Sequence, residues 1–379
     1  MTGTARTART APSAEATGVT EADGAFAGAA TQPAGDKSAG DKPAGGKVTA
    51  FNDSLGRLRR SMRRSAWNKG PLPPARDMAW QTSLVRRDPD PAVTRLTAAD
   101  FGYQRARRGP AARSAPAPEQ TAYSGPHRLL TDEGVARLRR VCENLADRAP
   151  DDDYIVSRRV RNVFGASRFV RAMVSDPAFL GRVSAIAGQP LIPHPLTTPA
   201  ICANYFDTQE VRVGDRKEPQ TARWHYDGMT YVFVMQLADR TEFANGRLML
   251  YRGTRADFDR DREAVAEQGS SHPKVFEPPL ERAGDTVYTL GSSLWHAVQP
   301  VSSGARLSII LSFFAPMERH DSNPFWHLAA EDGIVEALSG FAKLRKAQSD
   351  PLGYCARTGI DLTRVIAEAE RAAPLVAPH

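Results

Sequence analysis

A mainly β domain with supporting helices is the fold class predicted by this 379-residue sequence. Three observations carry the prediction. Short runs rich in β-branched and aromatic residues dominate from about residue 197 to 315, and helical periodicity stands on both sides of them. No apolar run reaches the roughly eighteen residues that a membrane-spanning helix needs. A hydrophobic content of 41% suits a globular chain with a sizeable core.

The elements follow in chain order. Residues 1 to 50 are rich in Ala, Gly and Thr and contain the near-repeat AGDKSAGDKPAGGK, so they offer little apolar surface to offset ordering entropy and read as a disordered leader. Residues 51 to 128 scatter Phe51, Trp67, Trp80, Phe101 and Tyr103 among Pro and Arg, which predicts short pieces wrapping a neighbouring core, as a lid or a homo-oligomer contact. The third region, 129 to 379, holds the remaining elements. Thr131 is an N-cap for a helix with Val135, Leu138, Cys142 and Leu145 on one face and Asp132 and Glu133 in its first turn. A second helix follows Ser175-Asp176-Pro177 and stops at Gly188. Strands are expected over 229–236 (MTYVFVMQ), 285–290 (DTVYTL) and 306–314 (RLSIILSFF). The polar stretch 253–279 reads as an insertion between core strands and a candidate lid. Helical pattern returns after Pro316 through Ile334, Leu338 and Phe341, then Leu362 and Ile366.

Charge and cysteine content narrow the function classes. The net charge of +7 is not spread along the chain: residues 51 to 128 carry fifteen basic and six acidic groups, whereas residues 129 to 379 carry thirty and thirty-two. The near-neutral third region argues against an active site that tracks phosphates, and so against a nucleic-acid substrate. Arg57, Arg59, Arg60, Arg63 and Arg64 are read as the solvated face of a surface helix. Cys142, Cys202 and Cys355 are odd in number and far apart, which argues against a disulfide framework and a thiolate metal site. With no signal-peptide stretch at the N-terminus, the expectation is a cytoplasmic protein with reduced thiols and no membrane partner.

The chemistry lies in His225-Tyr226-Asp227, a distant His296, and Arg306-Leu307-Ser308. In an extended segment residues i and i+2 share a face, so His225 and Asp227 can grip one metal while Trp224 and Tyr226 turn away. Two imidazoles and a carboxylate form the facial triad that holds non-heme Fe(II) and leaves positions open. Arg306 offers a planar, permanently charged fork that matches a carboxylate.

This set resembles the Fe(II)/2-oxoglutarate-dependent oxygenases, most closely the phytanoyl-CoA hydroxylase-like branch, over roughly residues 129 to 320. The resemblance implies a double-stranded β-helix, or jelly-roll, core supported by helices. It implies that His225, Asp227 and His296 hold Fe(II), that Arg306 anchors the far carboxylate of 2-oxoglutarate with Ser308 beside it, and that O2 is consumed as succinate forms. The carboxylate at Asp227 favours hydroxylation, desaturation or cyclisation over halogenation. Asn204 and Tyr205, on the strand before the tripeptide, stand where such enzymes place groups for 2-oxoglutarate or substrate. Arg223, two residues before His225, and Trp295, beside His296, are candidate substrate contacts. The expected substrate is a small molecule such as an amino acid or a secondary metabolite, and the high Ala, Gly and Arg content associates the chain with natural-product biosynthesis. Two rival classes are an oxygenase or demethylase acting on nucleic acid or protein, recognised by salt-dependent oligonucleotide binding, and a non-catalytic jelly-roll binding module, against which the intact triad and Arg306 both argue.

Overall fold

Strand pairing begins earlier in the chain than the sequence suggested. The computed structural model describes residues 70–90, 92–105, 115–151, 155–213, 216–318 and 325–377, all within one compact unit. The expected disordered leader, the arginine-rich helix, Phe51 and Trp67 lie outside the described residues. The strands are β1 (Thr94–Thr97), β2 (Thr121–Arg128), β3 (Arg159–Val160), β4 (Ile192–Pro193), β5 (Ile201–Asp207), β6 (Glu210–Val213), β7 (Arg216–Pro219), β8 (Ala222–His225), β9 (Tyr231–Gln236), β10 (Phe243–Asn245), β11 (Leu248–Tyr251), β12 (Val275–Phe276), β13 (Asp285–Leu290), β14 (His296–Val298) and β15 (Val301–Phe314). The α-helices are α1 (Asp132–Glu143), α2 (Val163–Ala166), α3 (Arg168–Ser175), α4 (Pro177–Ala187), α5 (Thr197–Ala200), α6 (Arg255–Gln268), α7 (Phe325–Glu331), α8 (Ile334–Ser349), α9 (Pro351–Thr358) and α10 (Leu362–Ala372).

A nine-stranded sheet runs β1-β2-β13-β9-β15-β5-β3, with β4 and β10 also on β15, and a four-stranded sheet runs β12-β11-β14-β8. Their pairings are antiparallel, the α+β arrangement that the sequence predicts. Alternation along β11 divides its side chains between two cores. Leu248 and Leu250 join Phe233, Val287 and Ile309 of the large sheet, while Met249 and Tyr251 meet Phe258 and Val265 of α6 on the other side. The small sheet is therefore buried on both faces, and its inner face is where the metal candidates stand.

Two sequence expectations are corrected here. No boundary falls between 128 and 129, because β1 and β2 are members of the large sheet and Tyr123 to Arg128 pair with β13. The stretch expected only as an insertion and candidate lid contains the fourteen-residue helix α6, which packs on the small sheet. Its sequence hides it, since only Phe258 and Val265 are buried, but the Thr254/Asp257 capping box is visible in hindsight. The C-terminal helices form where expected with a different buried face. Ile334 and Leu338 are 53% and 57% exposed, and Ala337, Gly340, Leu344 and Ala347 make the contact of α8 instead.

The described part of the 51–128 segment is fastened by specific bonds. Trp80 donates from Nε1 to Asp176 at 2.9 Å and stands edge-on to Phe169, and Tyr103 donates its hydroxyl to the Ser293 carbonyl at 2.7 Å. Asp90 is fully buried: it meets His127 Nδ1 at 2.7 Å, accepts from Arg128 N at 2.9 Å, and pairs with Arg182 of α4 at 2.6 Å. Removing one partner of a buried ion pair leaves the other charge stranded. Asp90→Ala is expected to cost about 3–5 kcal/mol, measured as a lower urea midpoint at unchanged slope, while Fe(II) affinity of the folded fraction stays as in the parent chain.

Candidate metal centre and co-substrate site

His225 and His296 are direct neighbours across β8 and β14, which dissolves the sixty-nine residues between Asp227 and His296 into one strand pairing. One ligand atom each from His225, Asp227 and His296 lies within 4.8 Å of the other two. The Nε2 atoms of His225 and His296 stand 3.7 and 3.5 Å from the Asp227 carboxylate oxygens. The tautomers follow from the other ring nitrogens. Nδ1 of His225 faces the Arg223 carbonyl at 2.6 Å and Nδ1 of His296 faces the Leu294 carbonyl at 3.0 Å. A carbonyl only accepts, so each Nδ1 carries a proton and each ring turns its Nε2 toward Asp227. Burial, followed by the neighbouring His296, lowers the His225 pKa well below the usual imidazole range, which keeps its Nε2 lone pair available.

Asp227 is placed by the chain that crosses beneath it. Its backbone N donates to Gly291 O at 2.8 Å, and Gly291 N donates to Thr230 O at 2.8 Å. A Cβ on Gly291 would lie 2.6 Å from Asp227 Oδ2 and 2.9 Å from Met229 O. Glycine is required by this approach, a role the sequence reading missed. Gly291→Ala is expected to turn the carboxylate away and weaken Fe(II) binding by about 10–100-fold, the range typical of disturbed support around a ligand, as read by competition with a chelator.

Arg306 on β15 supplies the anion side of the same cavity. It is 2% exposed, and burial lowers its pKa to about 10. Its only side-chain hydrogen bond runs from Nη1 to Ser308 Oγ at 3.5 Å; Nε and Nη2 have none, and no carboxylate pairs with it among the described residues. Ser308 lies opposite Asn204 in the β15–β5 register, and Asn204 Oδ1 is likewise buried without a partner. Arg306, Ser308, Asn204, His225, Asp227 and His296 line one cavity.

Three other candidates are placed elsewhere. Tyr205 alternates with Asn204, so it points to the helical side and donates to the Cys142 carbonyl of α1 at 2.6 Å. Trp295 alternates with His296 and stacks on Phe258 at 4.1 Å in the α6 cluster, with Tyr226 and Trp224 beside it. Arg223 does not share the face of His225. Across β14, two residue steps (His296 to Val298) match three steps of β8 (Ala222 to His225), and this bulge breaks the alternation. Arg223 instead bonds Glu218 at 2.7 Å, outside the cavity lining. The cavity also contains residues that the sequence gave no reason to select, namely Arg159, Arg161, His327 and Glu331.

No family model and no curated protein matches the sequence. Solved structures similar to it include the non-heme alpha-ketoglutarate-dependent carbocyclase SnoK from nogalamycin biosynthesis, with 19% identity over 52% of this chain and 79% of that one and a TM-score of 0.36. AviO1 from Streptomyces viridochromogenes Tue57 shares 19% identity over 58% and 96%, with a TM-score of 0.38. EctD from S. alaskensis with bound Fe shares 18% over 62% and 90%, with a TM-score of 0.40. Likeness of this degree leaves the roles of the residues above to rest on their own geometry.

Proposed function

We propose that this chain is a non-heme Fe(II)- and 2-oxoglutarate-dependent oxygenase that oxidises a C–H bond of a small molecule. One observation carries the reading: a buried guanidinium without a carboxylate partner faces the same cavity as two imidazoles and a carboxylate. Three such ligands also suit catalytic zinc, so the triad alone does not choose the metal. Arg306 does. A buried uncompensated cation is costly, and a dicarboxylate reaching from the metal to Arg306 would neutralise it with charge-assisted bonds. When bound, Fe(II) and 2-oxoglutarate supply the oxidising chemistry, with O2 consumed and succinate formed.

The chain's own residues fix the geometry for that chemistry. His225 and His296 are oriented by backbone carbonyls, Asp227 is seated on Gly291, and Arg306 with Ser308 beside it would hold the distal carboxylate. Asn204 Oδ1 is an acceptor open to co-substrate or substrate. The near-neutral charge of residues 129 to 379, thirty basic against thirty-two acidic groups, favours a small molecule over a nucleic-acid substrate. Anaerobic reconstitution with Fe(II) and 2-oxoglutarate, followed by oxygenation with a metabolite library, tests the reading. Substrate-triggered succinate release is expected, and substrate conversion that proceeds without 2-oxoglutarate would overturn it.

A further inference from the structure

The cavity has a second charged wall, made by two segments about 170 residues apart in the chain. Arg159 of β3 and Arg161 just beyond it line the cavity, and so does Glu331 at the end of α7. Arg159 pairs with Glu331; Arg161 reaches the second Glu331 oxygen at 3.3 Å and grips both oxygens of Asp332, one of them at 2.6 Å. The four side chains are 7–19% exposed. Burial would raise the Glu331 carboxyl, but the charges of Arg159 and Arg161 outweigh it and hold its pKa at about 2.

Charge balance limits what this wall can receive. Among the described residues two guanidinium groups face two carboxylates, so their charges balance. On the oxygenase reading, on which this inference rests, the other side is neutral too, since Fe(II) and Arg306 offset Asp227 and the 2-oxoglutarate dianion. A substrate with net charge would bring an uncompensated ion into a low-dielectric cavity. A buried ion pair is also a poor way to gain stability compared with apolar packing, and perturbed charges in a cleft are commonly there for ligands. The Arg161–Asp332 fork already fastens the end of α7 to β3, which leaves Arg159 and Glu331 as adjacent unlike charges beside the apolar Ile155, Pro199 and Leu328.

We propose that Arg159, Arg161 and Glu331 form a substrate subsite for a zwitterion of the α-amino acid class. The substrate carboxylate accepts from Arg159, with the charge of Arg161 beside it, its ammonium donates to Glu331, and its carbon skeleton lies on the apolar lining in the cavity shared with His225, Asp227 and His296. Net charge is conserved when such a molecule enters, and every charged group keeps a partner.

The test is calorimetric and needs no turnover. The full chain is loaded with Ni(II), a redox-inert stand-in, and 2-oxoglutarate, then titrated with each of the twenty proteinogenic amino acids. The tightest binder is repeated as its N-acetyl and its amide derivative. At least one free amino acid is expected to bind, with both blocked forms at least tenfold weaker. Glu331→Gln, which leaves the wall with a net positive charge, is expected to shift the ratio of N-acetyl to free amino acid affinity at least tenfold toward the anion. A misfolded variant would lose both ligands rather than exchange its preference. Failure of 2-oxoglutarate to bind removes the oxygenase reading and the proposal with it. If 2-oxoglutarate binds but no amino acid does, or blocked forms bind equally, or Glu331→Gln leaves the ratio unchanged, the subsite proposal alone is overturned.

Discussion

Asp227→Ala is expected to abolish iron binding and succinate formation while the chain still folds. The same outcome is expected for His225→Ala and His296→Ala. The reason is geometric: three ligand atoms within 4.8 Å form the cluster, and no fourth His, Cys, Asp or Glu joins it among the described residues. Losing a ligand outright exceeds the roughly 100-fold cost of disturbing its support, so affinity falls by more than that. Folding is retained because the side chains line a cavity and belong to neither hydrophobic cluster. Metal content by mass spectrometry and melting by circular dichroism separate the two effects. Full iron content in any of the variants would show that its residue is not a ligand, and unfolding of all three would give the cluster a structural role instead.

Arg306→Lys is expected to weaken 2-oxoglutarate binding by roughly ten- to more than a hundredfold, the equivalent of about 1.5–3 kcal/mol for a lost charged hydrogen bond. Two effects act together. A single ammonium cannot make the two parallel bonds of the guanidinium fork, and at a site where burial already lowers the Arg306 pKa to about 10, a lysine gives up its proton far more readily. Phe206, whose ring centroid lies 5.4 Å from the guanidinium carbon, favours the planar cation as well. Ser308→Ala costs about 1 kcal/mol or less, as one neutral hydroxyl is removed. Titration calorimetry of the Ni(II)-loaded variants gives both values. Unchanged affinity in Arg306→Lys would move the anchor elsewhere.

What the sequence disclosed depended on the range of the signal. Local signals were sound. Thr131 caps α1, Asp176-Pro177 opens α4, and Gly188 ends it in the left-handed region at φ 75°. β13 spans the run DTVYTL, and β9 covers most of its own run. Alternation worked until a bulge intervened, which is why Asp227 was placed correctly and Arg223 was not. Trp295 was legible in principle, because a residue adjacent to an inward-facing His296 must face outward in a strand. Helix α8 was found but turned the wrong way, since Ala337, Gly340 and Ala347 allow close packing that a hydrophobicity pattern ranks below Ile and Leu. Arg159 and Glu331 could not be paired from sequence. Only the meeting of β3 with the end of α7 brings them to one cavity, and local periodicity carries no information about that encounter.

On the oxygenase reading one cavity holds Fe(II) on His225, Asp227 and His296 and 2-oxoglutarate on Arg306. Anaerobic titration of the Fe(II)-loaded chain with 2-oxoglutarate, followed by visible absorption, examines both halves of the site at once. A metal-to-ligand charge-transfer band is expected that saturates at one equivalent, is absent without iron, and needs far more 2-oxoglutarate in Arg306→Lys. A chain that takes up no Fe(II), or that binds 2-oxoglutarate equally well without metal and shows no band, would contradict that reading.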